Sequence, residues 1–170
     1  MTETLESTPA VIREIMASDD LEPTVNVIRQ AFQTVATEFG LTETNCPGNP
    51  AFIKRAGLEG LLQKGVKLYG LFAGDRQIGC VAIEKSNDTL YFMEKLAVLP
   101  DCRHRNNGRQ LMDFVFDNVK KAGGQKVSIA IVDENIRLKD WYKAYGFVET
   151  GTKKFEHLPF TVGFLEKSAG

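Results

Sequence analysis

The sequence predicts an α+β fold, a mixed and mostly antiparallel sheet of about seven strands with helices on both faces. Three strand-like segments in the middle of the chain are separated by short polar turns, as in an antiparallel meander. A strand, a helix and another strand follow, and parallel neighbours in a sheet need such a crossover. The chain has 170 residues and is 43% hydrophobic, enough to form a core between a sheet and its helices. We expect one domain over residues 1–170 with the element order β-α-α-β-β-β-α-β-α-β-β.

The first third of the chain predicts a strand followed by two helices. Residues 10–16 favour a strand, and the polar run 18–20 offers side-chain caps for the helix that follows. This helix has one apolar face and stops at Gly40. The residues of that face are Val25, Ile28, Phe32, Val35 and Phe39. After a loop, a second helical stretch is expected at about residues 51–64.

Three strand-like segments fill the middle of the chain. Gly74 and Asp75 separate the first two, and residues 86–88 separate the second from the third; both are good turn sequences. Hairpin connections of this kind predict antiparallel pairing. The segments are VKLYGLFAG (66–74), QIGCVAIEK (77–85) and TLYFMEKLAVL (89–99).

The last third predicts two helices among three strands. The apolar positions of the first helix are Leu111, Met112, Val115, Phe116 and Val119. It ends near residues 120–124 (KKAGG), where cations and glycine favour a helix C-terminus. A buried strand at 126–132, a short helix at about 134–144 and strands within 146–156 and 160–167 complete the order.

Composition excludes several classes of protein. The net charge is -1, from 21 Lys+Arg against 22 Asp+Glu, so the chain has no overall bias toward nucleic acid. Its three cysteines and two histidines support neither a disulfide framework nor a metal site. The acidic N-terminus lacks the pattern of a secretory signal, and no apolar run approaches the ~20 residues that cross a membrane. We expect a cytoplasmic protein without membrane contact.

Residues 103–109 (RHRNNGR) concentrate positive charge where a strand ends and a helix begins. The first amides of a helix have no partner within it, and the helix dipole adds partial positive charge there. Cations at this end are unfavourable by ~0.3–1 kcal/mol each unless an anion lies between them, so a diphosphate is the expected ligand. The segment matches neither GxxxxGK[ST] nor GxGxxG, which argues against nucleoside triphosphates and NAD. Solvated charges and a nucleic-acid surface stay open as alternatives.

Two segments resemble the motifs of the GNAT superfamily of N-acetyltransferases. The strand and loop through Leu96, Pro100, Arg103 and Gly108 are similar to its acetyl-CoA signature, which ends in Gln or Arg, two residues, Gly, one residue, and Gly or Ala. Residues 135–147 resemble a later motif: an Asn that opens a short helix, a Tyr on that helix, and Gly-Phe entering the next strand. The predicted element order agrees with the family as well.

The resemblance implies acetyl-CoA as co-substrate and no metal. Strand residues 96–98 would pair with the pantetheine arm, and the loop amides would hold the diphosphate. The family's first loop glycine is Asn106 here, and asparagine tolerates the left-handed conformation that the loop needs. The implied cofactor-binding residues are Leu96, Ala97, Val98, Arg103, His104, Arg105, Asn106, Asn107, Gly108, Arg109, Asn135 and Lys139. A helix N-cap explains Asn135 almost as well.

Direct acetyl transfer to an amine needs a base and benefits from an acid. Glu94, inside an apolar strand, is the candidate base, directly or through water; an exposed strand carboxylate paired with Lys95 is the alternative. The resemblance implies that Tyr142 is the general acid, with aromatic packing as the alternative. A free backbone amide near Val98 would stabilise the oxyanion.

The acceptor is expected to be an amine of a small molecule or peptide. Candidate acceptor-side residues, on position alone, are Glu38, Thr44, Asn45, Cys46 and His157. We expect a monomer or homodimer that does not bind nucleic acid. A non-catalytic acetyl-CoA or CoA sensor on the same fold is the principal alternative.

Overall fold

The computed structural model describes residues 9–170. Its strands are β1 Val11–Ile15, β2 Lys67–Ala73, β3 Arg76–Lys85, β4 Leu90–Val98, β5 Lys126–Val132, β6 Val148–Lys154 and β7 Thr161–Ser168. Its α-helices are α1 Glu22–Glu38, α2 Arg55–Gln63, α3 Asn107–Lys121 and α4 Ile136–Tyr145. Short 3-10 turns at Pro50–Phe52 and Pro100–Cys102 precede α2 and α3. The predicted mixed α+β order is confirmed.

The strands form a single seven-stranded sheet in the order β1-β2-β3-β4-β5-β7-β6. All neighbours are antiparallel except β4 and β5, which are parallel and are joined by α3 as a crossover. The meander β2-β3-β4 is therefore confirmed, as is the strand-helix-strand unit after it. The parallel pair lies in the middle of the sheet.

Helices cover both faces of the sheet centre. Seven consecutive residues of β3, from Gln77 to Ile83, are buried, as expected of a strand packed on both faces. Both α1 and α3 pack against β3 and β4. On the α3 side, Tyr69 of β2 meets Phe114 edge-on, with ring centroids 4.7 Å apart. This packing fixes where α3 begins relative to the end of β4.

Two boundary predictions are wrong. No side chain caps α1: Leu21 occupies the N-cap position, and Asp20 Oδ1 instead accepts the amide of Glu22 at 3.1 Å. The stretch expected as one helix at 51–64 is split, because Asn49 caps the short 3-10 turn and the chain is extended at 53–54 before α2 begins. No helix within residues 9–170 is long and apolar enough to cross a membrane.

Candidate active site

The parallel strands β4 and β5 are joined at one end only. Their ladder pairs residues 90–92 with 126–128, whereas β4 runs on to Val98 and β5 to Val132. Beyond the third pair the two strands no longer form a ladder, so a gap opens toward their C-terminal ends. Helix α3 begins at the same end of β4.

The backbone of β4 turns an amide group into this gap. The amide of Leu99 donates to the Ile78 carbonyl, which precedes Gly79 of β3, at 2.8 Å. Because successive amides along a regular strand point to opposite sides, that of Val98 points away from β3 and toward the gap. An extended ligand in the gap would therefore find a strand-like hydrogen-bond donor.

A β-bulge in β4 lies just after the last pair with β5. The ladder with β3 skips a residue between its pairs at Glu94 and Ala97, which places Lys95 and Leu96 in the bulge. Lys95 has φ of 54°, a left-handed conformation that is uncommon for residues with a side chain. Bulges bend a strand and change where its side chains point. This bulge therefore sets the direction of Glu94 relative to the gap.

The start of α3 presents free backbone amides. His104 (φ 63°) and Asn106 (φ 62°) are both left-handed, so the expected conformation of Asn106 is confirmed. Gln110 is the first residue of the helix whose amide is bonded, to the Asn106 carbonyl at 2.9 Å. Within the described chain the amides of residues 107–109 have no backbone acceptor, and they point out of the helix start. The arrangement suits an anion.

The Arg103 side chain is directed away from this helix start. Its guanidinium donates to the Ala31 carbonyl at 2.9 Å and to Thr34 Oγ1 at 3.3 Å, both on α1. We expected Arg103 to help hold a diphosphate; in the structure its side chain fastens the loop to α1. Arg103 therefore contributes to an anion site by holding the loop in place.

Two other cationic side chains of the loop, Arg105 and Arg109, are exposed, as is that of His104. The Arg109 guanidinium carbon lies 5.7 Å from the ring centroid of Tyr145 on α4, a cation–π distance. Exposed cations beside a helix start carrying free amides are positioned to attract an anion from solution.

Trp141 of α4 lies against the same loop, which the sequence analysis did not foresee. A Cβ added to Gly108 would be 3.3 Å from Trp141 Cη2 and 4.0 Å from Val98 Cγ2. The indole therefore rests on the first turn of α3 and beside the end of β4, with 40% of the residue exposed. Gly108 leaves space for this ring as well as for a ligand. An exposed aromatic residue in the motif 135–147 was the available signal.

Two other predicted residues on α4 are engaged within the protein. Asn135 Oδ1 accepts the amide of Leu138 at 3.3 Å, so Asn135 caps α4, which was its alternative interpretation. Lys139 Nζ lies 2.6 Å from Asp133 Oδ1 and 3.1 Å from Glu149 Oε1. These carboxylates raise the pKa of Lys139. Its ammonium is thus neutralised locally rather than turned toward the loop.

Tyr142 combines a buried ring with an accessible hydroxyl. The residue is 6% exposed and packs against Trp141 and Phe147, with ring centroids 5.0 and 5.5 Å away. Within residues 9–170 the Tyr142 hydroxyl has no protein hydrogen-bond partner, whereas every fully buried side-chain polar atom there has one. The oxygen therefore reaches accessible space. Burial raises the pKa of Tyr142, which keeps the phenol protonated.

Glu94 is half-buried among charged neighbours. Its pKa is raised to about 7, mainly by burial and secondly by contact with the Glu84 carboxylate of β3; Lys95 and Lys64 act in the opposite direction. A carboxylate with a pKa near neutrality can accept a proton and lose it again at physiological pH. This is the strongest electrostatic feature of the β4 segment before the bulge.

The acceptor-side candidates surround a small second hydrophobic core. This core joins the end of α1, the loop after it and the β6–β7 hairpin; its buried members are Ala36, Leu41, Cys46 and Ala51, with Phe32, Phe39, Phe52, Leu158 and Phe160 packed against them. Cys46 belongs to the core itself, and burial raises the pKa of its thiol. It was a candidate for acceptor contact, and the structure corrects that assignment to packing.

The other acceptor-side candidates are exposed. Asn45 stabilises the loop: it exchanges hydrogen bonds with Thr42 at 2.8 and 3.1 Å and donates to the Gly40 carbonyl at 3.0 Å. His157 lies 5.7 Å from Phe155, ring to ring, in the β6–β7 hairpin. Glu38 and Thr44 have exposed side chains at the end of α1 and in its loop. Because the second core joins that loop to the hairpin, these residues border one surface.

Comparison with known proteins gives one matching family. The family model described as the acetyltransferase (GNAT) domain matches residues 65–149, which is half of the chain. These residues include β4, the loop, α3 and the whole of α4. No curated protein sequence matches the chain significantly.

Solved structures with the same fold match almost the entire chain. The PaiA N-acetyltransferase from Thermoplasma acidophilum, in complex with coenzyme A, aligns with a TM-score of 0.76 and 18% identity over 94% of this chain and 99% of its own. A GNAT family acetyltransferase from Elizabethkingia anophelis with acetyl-CoA bound gives 0.69 and 14% over 94% and 97%. An N-acetyltransferase from Staphylococcus aureus gives 0.69 and 18% over 95% and 98%. At these identities the likeness concerns the fold.

Proposed function

The chain belongs to the GNAT acetyltransferase family, and from this we propose that it is an acetyl-CoA-dependent N-acetyltransferase. In the proposed reaction a primary amine of a small molecule or peptide and acetyl-CoA are bound together, and the acetyl group moves directly between them. The observation that carries the proposal is the gap between β4 and β5, which has the free amides of α3 at one end and is bordered by β4, the strand that carries Glu94. Each part of the gap has a distinct task.

The residues present fit coenzyme A. The amides of residues 107–109 and the exposed cations around them suit a diphosphate. The Val98 amide and the strand segment 96–98 suit the peptide-like pantetheine arm, which can pair with this segment as a neighbouring strand would. The two relatives with coenzyme A or acetyl-CoA bound share this fold. When bound, acetyl-CoA supplies a thioester that an amine can attack.

Glu94 serves as the general base in this proposal. An amine with a pKa near 10.4 is mostly protonated at neutral pH, and exposing its lone pair costs about 4–5 kcal/mol without help. A carboxylate with a pKa of about 7 accepts the proton more readily than an ordinary glutamate does. Glu94 takes this proton directly or through one water. Glu94 lies on β4, shortly before the segment 96–98 that would pair with the pantetheine arm.

The Val98 amide and the Tyr142 hydroxyl complete the proposed active site. The Val98 amide, directed into the gap, donates to the developing oxyanion, an interaction worth about 3–4 kcal/mol in enzymes where it has been removed. Tyr142 keeps its proton because burial raises its pKa, so its hydroxyl donates a hydrogen bond to the departing sulfur. The free hydroxyl described above makes this possible without breaking an existing contact.

The first test is binding of acetyl-CoA. Trp141 is the only tryptophan of the chain and rests on the loop at Gly108, so its fluorescence should change saturably as acetyl-CoA is added. Trp141→Phe provides the matched control without the signal. The absence of any fluorescence change and of any calorimetric heat up to millimolar acetyl-CoA would refute the proposal.

The second test is turnover. An amine library is screened by detecting the thiol of released coenzyme A, with Tyr142→Phe and Glu94→Gln as controls. Binding of acetyl-CoA together with no turnover on any amine would favour a non-catalytic acetyl-CoA or CoA sensor instead. Acetylation of one amine class that is lost in Glu94→Gln would support the enzyme.

A further inference from the structure

Glu84 of β3 is a second carboxylate in contact with Glu94. In the β3–β4 ladder Glu84 lies opposite Phe92, and Glu94 lies opposite Ala82. The two glutamates are therefore diagonal neighbours on the same face of the sheet, close enough for long side chains to meet. The Glu84 carboxyl group is one cause of the raised pKa of Glu94, and both residues are half-buried.

The Glu84 carboxyl group disfavours ionisation of Glu94. Partial burial strengthens the effect of a neighbouring like charge. The charged groups that face Glu94 are Glu84 from β3, Lys95 from its own strand and Lys64 from the end of α2. Lys64 is exposed, so solvent weakens its attraction. The Glu84 contact is the only one of the three that favours the protonated form.

We propose that Glu84 is a positioning residue for the base: its carboxyl group accepts a hydrogen bond from protonated Glu94, and its charge sets the pH at which Glu94 loses that proton and can accept one from the amine. The inference rests on the proposed function, because it takes Glu94 to be the base. During transfer the nitrogen of the amine forms its bond to the acetyl carbon, the carbon–sulfur bond breaks with its electron pair going to the sulfur of the departing coenzyme A, and the proton that leaves the nitrogen goes to Glu94. Glu84 then accepts a hydrogen bond from the protonated Glu94.

The pH profile of kcat/KM tests this role. In the wild type the activity should rise with pH around 7, as the pair loses its proton. In Glu84→Gln the rise should move down by about one pH unit, since the like charge is gone. The activity at pH 6, expressed as a fraction of each protein's own plateau, should then be about five-fold larger in the variant than in the wild type. The plateau itself and the KM for acetyl-CoA should stay within two-fold.

Two further variants make the test specific. Lys64→Gln removes an attraction that favours the charged base, so its profile should move slightly upward, opposite to that of Glu84→Gln. Glu166→Gln makes the same change on β7, where the carboxylate pairs with Lys126 at 3.3 Å, and should not move the profile. A Glu84→Gln profile that coincides with the wild type would overturn the proposal. So would loss of activity at every pH in a folded Glu84→Gln protein, because Glu84 would then be the base itself.

A measurement without any acceptor separates this inference from the proposed function. Carbon-13 NMR of labelled glutamate carboxyl groups follows the titration of the pair directly. Glu94 should titrate near pH 7 in the wild type and about one unit lower in Glu84→Gln. If no amine is ever acetylated but this shift is seen, the pairing stands and the enzymatic proposal fails. An unchanged Glu94 titration in the variant would reject the pairing whatever the activity.

Discussion

The two sides of the candidate site differ in the groups that form them. The side proposed for the cofactor consists largely of backbone: the amides of α3 at residues 107–109 and the β4 amide that faces the gap. The side proposed for the acceptor consists of side chains that three distant segments bring together in the second core. Backbone groups are placed by the fold and by local turns, whereas a side-chain surface depends on which segments meet. The first kind of site should tolerate many substitutions, and the second should change with each one.

Glu94 is the proposed base, and its substitution should have the largest effect. Glu94→Gln keeps the shape of the side chain but removes the base. We expect kcat/KM at pH 8 to fall by about 10²–10³-fold, the usual contribution of a general base, with the Kd of acetyl-CoA within two-fold of the wild type. Steady-state kinetics and calorimetry measure the two quantities. A loss of less than three-fold would place the base elsewhere.

The same variant should not be less stable, which separates chemistry from folding. Glu94 titrates at about 7 in the folded chain, against an ordinary value of 4.5, so the folded state favours its protonated form. Its contribution to stability is therefore greatest below pH 4.5 and is lost as the pH rises toward 7. Glutamine does not ionise and therefore loses no stability over this range. The difference in Tm between Glu94→Gln and the wild type should therefore increase from pH 5 to pH 8. A decrease would contradict the sign.

Substitution of Tyr142 should have a smaller effect on the reaction. Tyr142→Phe retains the buried ring and removes a hydroxyl that has no protein partner in the described chain. We expect kcat to fall about ten-fold, at the low end of acid–base contributions, while the Tm changes by less than 2 °C. Stopped-flow detection of thiol release and thermal unfolding measure both. An unchanged kcat would show that Tyr142 serves only for packing.

Asn106 tests how far the cofactor side depends on backbone conformation. Valine is disfavoured at φ of 62° because its branched side chain clashes in the left-handed region, so Asn106→Val should weaken acetyl-CoA binding about five- to ten-fold. Asn106→Gly accepts the same conformation and should bind within two-fold of the wild type. Fluorescence titration of Trp141 gives both constants. Equal weakening in the two variants would mean that the asparagine side chain, rather than the backbone, contacts the ligand.

The same division explains what the sequence could predict. The strand, the loop and the start of α3 are adjacent along the chain, so the sequence pattern located the strand end and the helix start, and the resemblance to the GNAT motifs led us to expect the left-handed Asn106. Glu94 was identified from its place in an apolar strand. Its partner Glu84 was not, because pairing across β3 and β4 depends on a register that a bulge shifts. Cys46 likewise looked available in a polar loop until tertiary packing enclosed it.

Arg103 shows the limit most clearly, since its motif position is adjacent to the anion loop while its partners on α1 lie 69 and 72 residues earlier in the chain. Arg103→Met should therefore lower the free energy of unfolding by about 1–2 kcal/mol through the lost charged hydrogen bonds, and weaken acetyl-CoA binding by less than two-fold. Arg105→Met, at an exposed position of the same loop, should do the reverse: little change in stability and two- to five-fold weaker binding. Urea unfolding and fluorescence titration of both variants decide the matter. Weaker binding in Arg103→Met than in Arg105→Met would return Arg103 to the diphosphate and make the cofactor side depend on side chains after all.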